Sequence, residues 1–554
     1  MRKIHLLILW LLSGLSLWAQ NEVPRKGFSA PFDFSLYLSG NFGELRENHF
    51  HGGLDFKTQH VSGKKLLALA DGYVNRVQVS HDSGYVLHVR YNNGFTTINR
   101  HLEGLVGPLA DFVDSIQYKN QRWVMNAEFK PNEYPVRRGE HIGWSGNLGY
   151  SFAPHLHLDV YETRSGDYID PLPFYSEKLT DTKAPRSQGS MVYPEGKKGV
   201  VNGDYRPLQV SLANKDSIFA WGTIGVAIKA YDYMDGTYNK YGVKHMKVYA
   251  NDEFIFESNV DRYAYSEHKY INSWSHKDYM KAFIEPGNRL RMLQAKNGNR
   301  GLVTIGEEKT YTFKFVLSDY YGNTSTYKLN VYGKQQDIVA PNSTKELVWD
   351  TFNHFSDAGL NLVIPKNQLY KTADLDYQLF PKSSRDSVES FIYQLIAPDD
   401  YVPFHRWAKL SIRVPENYSL DKKKLYIARI NEKNKLVNVG GTLKNGAIET
   451  TISKLGTFTL AIDTVPPVVY ALDKHNWKKQ GQIVFKAKDY ETGVMSYKGT
   501  IDGEYALFYL DIMPDNICYN IDSRRLQRGV NHKIQLEVID KRGNKTLINE
   551  TFFW

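Results

Sequence analysis

The chain has 554 residues with 69 Lys+Arg against 60 Asp+Glu, a formal net charge of +9. At roughly 150 residues per domain this length calls for three or four domains rather than one core. A hydrophobic share of 42% and a charged share of 23% exclude both a disordered tail and a membrane bundle. The single cysteine, Cys518, excludes an intramolecular disulfide framework and a cysteine-built zinc cage.

Taken in chain order, residues 1–19 read as a secretory signal peptide. Arg2 and Lys3 precede an apolar run from Leu6 to Leu17, and Leu17-Trp18-Ala19 offers a cleavage site. The mature protein is therefore expected to be exported, whether periplasmic, envelope-associated or secreted. No later apolar run has membrane length, so no transmembrane segment is expected.

The segment 20–178 carries 16 Lys+Arg against 18 Asp+Glu and nine of the 17 histidines. The following 376 residues carry 51 against 42, so the basic excess lies wholly there. That asymmetry predicts different jobs for the two parts: chemistry in the first, attraction to an anionic polymer in the second. Tyr73–Val79, Tyr85–Val89 and Phe95–Ile98 read as strands, the last two joined by the Asn92-Asn93-Gly94 turn. The stretch 106–136 shows no clean period and reads as a long inserted loop. With 14% aromatic residues, 38 of them tyrosine, the whole chain is expected to be mainly β.

Beyond residue 178 the sequence repeats. Pro-bearing lead-ins begin at Asp181, Asp337 and Asp463, as expected of linkers. Lys229-Ala230-Tyr231-Asp232-Tyr233 matches Lys486-Ala487-Lys488-Asp489-Tyr490, and Asp319-Tyr320-Tyr321-Gly322-Asn323 matches Asp540-Lys541-Arg542-Gly543-Asn544. These predict immunoglobulin-like β-sandwich modules over 179–336 and 463–554, with a distinct β-domain over 337–462 between them.

Three pieces of the 20–178 segment point to chemistry. In His51-Gly52-Gly53-Leu54-Asp55 the glycines disfavour a helix, but i and i+4 share a face in an extended chain as well. Pro154-His155-Leu156-His157-Leu158 alternates as a half-buried strand, with both imidazoles on one face and both leucines toward the core. Arg100-His101-Leu102 comes just after a predicted strand. Two imidazoles and one carboxylate with an open position satisfy a catalytic zinc site. Further histidines can serve as general base and as stabiliser of a developing oxyanion.

The ordered set Phe42-Gly43-Glu44-Leu45-Arg46, His51-Gly52-Gly53-Leu54-Asp55, Ala70-Asp71-Gly72-Tyr73-Val74, Gly143-Trp144-Ser145-Gly146-Asn147-Leu148-Gly149 and Ala153-Pro154-His155-Leu156-His157 resembles M23 (LytM/lysostaphin-like) zinc peptidases over roughly 35–175. The resemblance implies a small antiparallel β-sheet with its site in a groove. It implies Zn²⁺ ligands at His51, Asp55 and His157, and catalytic roles for His155 and His101. The implied activity is endopeptidase cleavage of peptidoglycan cross-links, with stem peptides as partners. Three departures stand out: Asn99 where the family has tyrosine, Ala153 where it has glycine, and Leu158-Asp159 where it has Phe-Glu. The Asn99 exchange predicts a lost groove contact or transition-state donor. Two other readings are a non-catalytic M23-like regulator of a cell-wall amidase and a wall-binding adhesin-like protein.

The remaining signals read as structural. His49, His60, His81, His88 and His141 are expected as surface or packing groups, and Cys518 as a buried free thiol. Asp421-Lys422-Lys423-Lys424 and Lys478-Lys479 are too isolated for a nucleic-acid footprint, so no nucleic-acid partner is expected. Partners in the cell envelope are expected through the C-terminal β-domains.

Overall fold

A computed structural model describes residues 25–211, 216–383, 387–398 and 402–554. The leader expected at 1–19 lies outside the described residues. Half of the chain is strand and 7% helix, so the fold is mainly β, in antiparallel sheets.

The N-terminal unit is built on a sheet whose main path runs Leu38–Gly40, Gly53–Lys57, His155–Glu162, Phe95–Leu102, Gly84–Tyr91, Gly72–Ser80, Met125–Glu128. Every neighbouring pair along that path is antiparallel. The central strand His155–Glu162 alternates strictly. Leu156, Leu158 and Val160 are fully buried on one face, and His155, His157 and Asp159 lie on the other.

The inserted stretch 106–136 is not a loop. Gly107–Lys119 is an α-helix with proline in its first turn, and Met125–Glu128 adds a strand to the sheet edge. The helical period was hidden because its buried positions are Leu109, Val113 and Gln117. The third is polar, and its Nε2 donates to the Trp123 carbonyl at 2.6 Å. Spacing of i, i+4, i+8 is sound, but a buried amide does not register as apolar.

The unit 179–336 is an eleven-stranded network in which the long strands Arg186–Val201 and Phe219–Tyr231 pair with two shifts of register. Phe219–Tyr231 also bridges in parallel to Thr324–Gly333. Segment 337–462 stacks a six-stranded and a five-stranded sheet around Leu347, Leu362, Leu395, Ile427 and Leu460. The last module is two four-stranded sheets.

The N-terminal sheet does not end at residue 178. Its strand Asp167–Ile169 pairs with Arg262–Ala264 of the following unit. Phe42 and Phe50 sit in that unit's core, and Tyr263 stacks between Phe42 and Tyr168 with ring centroids 5.4 and 5.7 Å away. On another side the last module returns to the N-terminal unit. Trp123 stacks on Tyr509 at 4.7 Å, Arg525 pairs with Asp114 at 2.8 Å, and Cys518 joins the N-terminal core. Cys518 is buried as expected, and burial pushes its thiol up to about 12. A protonated thiol of this kind is a packing group rather than a nucleophile.

Among the histidines read as structural, His88 is buried and its Nε2 lies 3.1 Å from Gln78 Oε1. Burial first, then the Arg100 and Arg76 guanidiniums, pull its imidazole down to about 4. The unfolded value is near 6.5. Folding with a depressed value means the stabilisation is complete above pH 6.5 and is lost as pH falls toward 4. Urea unfolding at pH 7 and 4.5 should therefore show wild type losing about 2–3 kcal/mol more than His88→Gln. Equal losses would place the acid sensitivity elsewhere.

Candidate metal centre

The convergence of the site follows from strand register. On the sheet ladder His157 lies opposite Asp55 on one side and opposite Arg100 on the other. Directly opposed residues project from the same face, so these side chains meet without any special turn. His51 arrives from the extended segment just ahead of Gly53–Lys57, held by its amide on the Glu44 carbonyl at 2.9 Å. The two glycines between His51 and Asp55 are required by close approach. A Cβ at Gly52 would stand 2.6 Å from Asp159 Oδ1, and one at Gly53 would stand 2.0 Å from the Leu158 carbonyl oxygen.

His51 Nε2, Asp55 Oδ1 and His157 Nδ1 lie 3.0, 3.0 and 2.9 Å apart. Their outer partners fix the ring protons. His51 Nδ1 lies 2.6 Å from the Asn41 carbonyl oxygen, which only accepts, so Nδ1 carries the hydrogen and Nε2 a lone pair. His157 Nε2 donates in the same way to Asp159 Oδ1 at 2.6 Å, leaving Nδ1 as the atom that faces Asp55. Once Nδ1 gives up its own proton, three acceptor atoms face one another at contact distance. That is a donor set for a metal ion, each imidazole oriented by an oxygen behind it.

The electrostatics agree. Burial alone would raise the Asp55 carboxyl, but His51 and His157 hold it well below the usual carboxylate range. Burial would also lower His157, yet Asp159 and Asp55 on either side pull it up to about 9. A proton between the carboxylates does there what a cation would do, and metal binding at such a site releases it.

Asp159 links this centre to the strand beside it, for its Oδ2 accepts from Arg100 Nε at 3.1 Å. Asp159→Asn keeps the shape and removes the charge behind His157. The expected result is metal affinity weakened about 10–100-fold, read by titration against a competing chelator. Unchanged affinity would make Asp159 a packing residue.

His155 and His101 occupy the same face. His155 Nδ1 lies 2.8 Å from the Ala153 carbonyl oxygen and 3.1 Å from Ser151 Oγ, which turns Nε2 toward Asp55 Oδ1 at 3.6 Å. His101 Nδ1 donates to the Leu148 carbonyl at 2.8 Å, and its ring centroid is 4.8 Å from that of His155. His101 reaches this face because its φ is +63°, breaking the alternation that would otherwise point it away from Arg100's side. Burial pulls His101 down to about 3 and also lowers His155. Both rings are neutral at pH 7, with Nε2 ready to accept a proton.

Asn99 stands on the opposite, core face. It is buried, opposed to Leu158, and donates from Nδ2 to the Leu87 carbonyl at 3.0 Å. It neither fills nor vacates a groove position. The groove itself is a cavity of about 1050 Å³ over the metal centre. Its far wall comes from the next unit through Asn239, Tyr263, Tyr265 and His268, residues that sequence reasoning missed because no local signal ties them to the histidines. Its rim holds the exposed rings of Tyr150 and Phe152. His49 and His60, expected at the surface, are exposed and line this groove. His81 instead faces the last module, 3.5 Å from the Tyr497 hydroxyl. His141 packs against Trp144 with ring centroids 4.4 Å apart.

The chain is similar to proteins of two kinds. Residues 344–463 match the family model of the Zu5-like domain, overlapping the segment 337–462 read from sequence as a distinct β-domain and ending one residue beyond it. An uncharacterized metalloprotease of Buchnera aphidicola subsp. Baizongia pistaciae (strain Bp) is 26% identical over 116 residues, 21% of this chain and 24% of the relative. The chain thus spans about a quarter of the length of that curated relative. Among solved structures, a zinc-containing peptidase from Vibrio cholerae is 22% identical, covering 27% of this chain and 39% of that one, at a TM-score of 0.20. The catalytic domain of lysostaphin from Staphylococcus simulans is 25% identical over 25% of this chain and 90% of its own, at 0.18. The prophage-encoded M23 protein EnpA from Enterococcus faecalis is 18% identical over 27% and 94%, at 0.19. Over about a quarter of its length the chain is similar to metallopeptidases, M23 peptidases among them.

Proposed function

We propose that the chain is a zinc-dependent endopeptidase, exported from the cytoplasm, that hydrolyses peptide cross-links of peptidoglycan. The observation that carries this reading is the meeting of His51, Asp55 and His157 as three acceptors at 2.9–3.0 Å, with the neutral His155 and His101 beside them in one groove. A zinc ion held there would polarise a scissile carbonyl and bring water to a nucleophilic state near neutral pH. The chain's own residues supply the proton handling. His155 Nε2 accepts the proton of the attacking water and returns it to the leaving amine, held in orientation by its Nδ1 contact with the Ala153 carbonyl. His101 Nε2, unprotonated at pH 7 and on a ring 4.8 Å from that of His155, stands in the same groove as a second proton acceptor. The exposed ring of Tyr265 in the groove wall offers a flat apolar surface along a bound peptide.

The test is digestion of purified peptidoglycan by the mature chain, with mass analysis of released fragments. Cross-linked stem peptides should be cut at a peptide bond. His155→Ala and His101→Ala should each keep the metal and lose about 10²–10⁴-fold in rate. Intact cross-links in the presence of stoichiometric zinc would favour a binding role for the groove. Normal cleavage by both variants would remove the two histidines from the mechanism.

A further inference from the structure

The repeated β-modules bring one aspartate from each of three segments to a common point, and they do so twice. Asp181 in the lead-in, Asp232 just past the strand Phe219–Tyr231, and Asp319 just past Thr310–Ser318 place carboxylate oxygens within 4.8 Å of one another. Asp463, Asp489 and Asp540 do the same in the last module. The lead-in aspartate of the intervening domain, Asp337, is exposed.

The two clusters differ in how their oxygens are used. In the last module Thr492 Oγ1 donates to Asp463 Oδ2, and the amides of Thr492 and Gly493 donate to Asp489 Oδ1. Asn544 Nδ2 bridges Asp463 Oδ1 and Asp540 Oδ2. In the first cluster Asp181 Oδ1 accepts from the Lys183 amide, and Asp319 accepts from the Asn323 amide and side chain. Asp232 stands apart: it is 4% exposed, and its Oδ1 has no hydrogen-bond partner. A cavity of about 10 Å³ is lined by all three aspartates, roughly the room one water or one small ion needs. Lys244 also lines that cavity, but its ammonium is paired with Asp170 at 3.1 Å.

We propose that Asp181, Asp232 and Asp319 form a calcium site that fastens the lead-in to the module walling the groove. A buried carboxylate oxygen without a partner is costly unless a cation meets it. Donors that are all oxygen select a hard cation. A cavity of about 10 Å³ is too small for the water shell that Mg²⁺ keeps, whereas Ca²⁺ takes carboxylates directly and tolerates irregular geometry. The site is independent of the catalytic reading. Its effect is on the junction, because Asp181 belongs to the lead-in while Asp232 and Asp319 belong to the module.

The experiment uses the full mature chain freed of calcium with EGTA, then titrated with CaCl₂ or MgCl₂ at neutral pH by calorimetry and thermal unfolding. One Ca²⁺ per chain should bind, with a rise in Tm of roughly 5–10 °C at a hundredfold excess over Kd. Asp232→Asn should lose both, and in EGTA it should melt no lower than wild type, because an amide of the same shape replaces a buried carboxyl whose Oδ1 has no partner. Asp319→Asn gives the same reading should Asp232→Asn fail to fold. Asp489→Asn, in the cluster that has no unpartnered buried oxygen among the described residues, should keep the calcium response. The proposal is overturned if wild type does not bind calcium, if Asp232→Asn retains the full shift, or if Mg²⁺ acts equally at the same concentration.

Discussion

Alanine at His51, Asp55 or His157 abolishes tight metal binding and peptide cleavage together. Each supplies one of three acceptor atoms within 3.0 Å of the other two, and two ligands leave an incomplete site. Loss of an outer partner typically weakens a metal 10–100-fold, so loss of a direct ligand should exceed that, on the order of 10³-fold or more. The fold should survive, since the sheet's apolar face of Leu156, Leu158 and Val160 is untouched. Metal analysis of the purified variants, with circular dichroism as control, decides the matter. Full metal occupancy in His51→Ala or Asp55→Ala would overturn the assignment. If His157→Ala keeps the metal while His155→Ala loses it, the roles within the His-x-His pair are exchanged.

The ligand set was legible because it rests on local periodicity. His155 and His157 two apart, and His51 and Asp55 four apart, must share faces in extended chain, and the register that opposes Asp55 to His157 completes the set. His101 was legible as a residue but not as a geometry. Its approach to the site depends on a positive φ that no composition rule assigns to histidine. Asn99 was misread for the same reason: counted along the strand it belongs with the groove, yet the distortion at His101 leaves it on the core face beside Leu158. The helix Gly107–Lys119 was lost to one buried glutamine. The groove's far wall was beyond reach, because Tyr263 and Tyr265 come from more than a hundred positions away through a single three-residue strand pairing.

That pairing bears on whether the N-terminal segment can fold by itself. At about 160 residues, segment 20–178 has the size of a self-sufficient domain, and its sequence contains all five proposed site residues. Yet Phe42 and Phe50 are buried in the core of the unit that follows, and Trp123 is covered by Tyr509 of the last module. Burying one such ring contributes about 1.5–3 kcal/mol, so baring three removes roughly 5–9 kcal/mol. Whole domains are stable by only about 5–15 kcal/mol. The isolated fragment 20–178 is therefore expected to be marginal or unfolded, without a cooperative melt and without stoichiometric metal. Fragment 20–336 restores the strand Arg262–Ala264 and the cover on Phe42 and Phe50, and should melt cooperatively below the full chain by an amount reflecting the bared Trp123. Tyr509→Ala in the full chain should reproduce part of that drop without truncation, since it uncovers the same indole. A fragment 20–178 that melts cooperatively within a few degrees of the full chain and binds one metal would show that the shared core is dispensable. The β-units would then act on the site only through its groove wall.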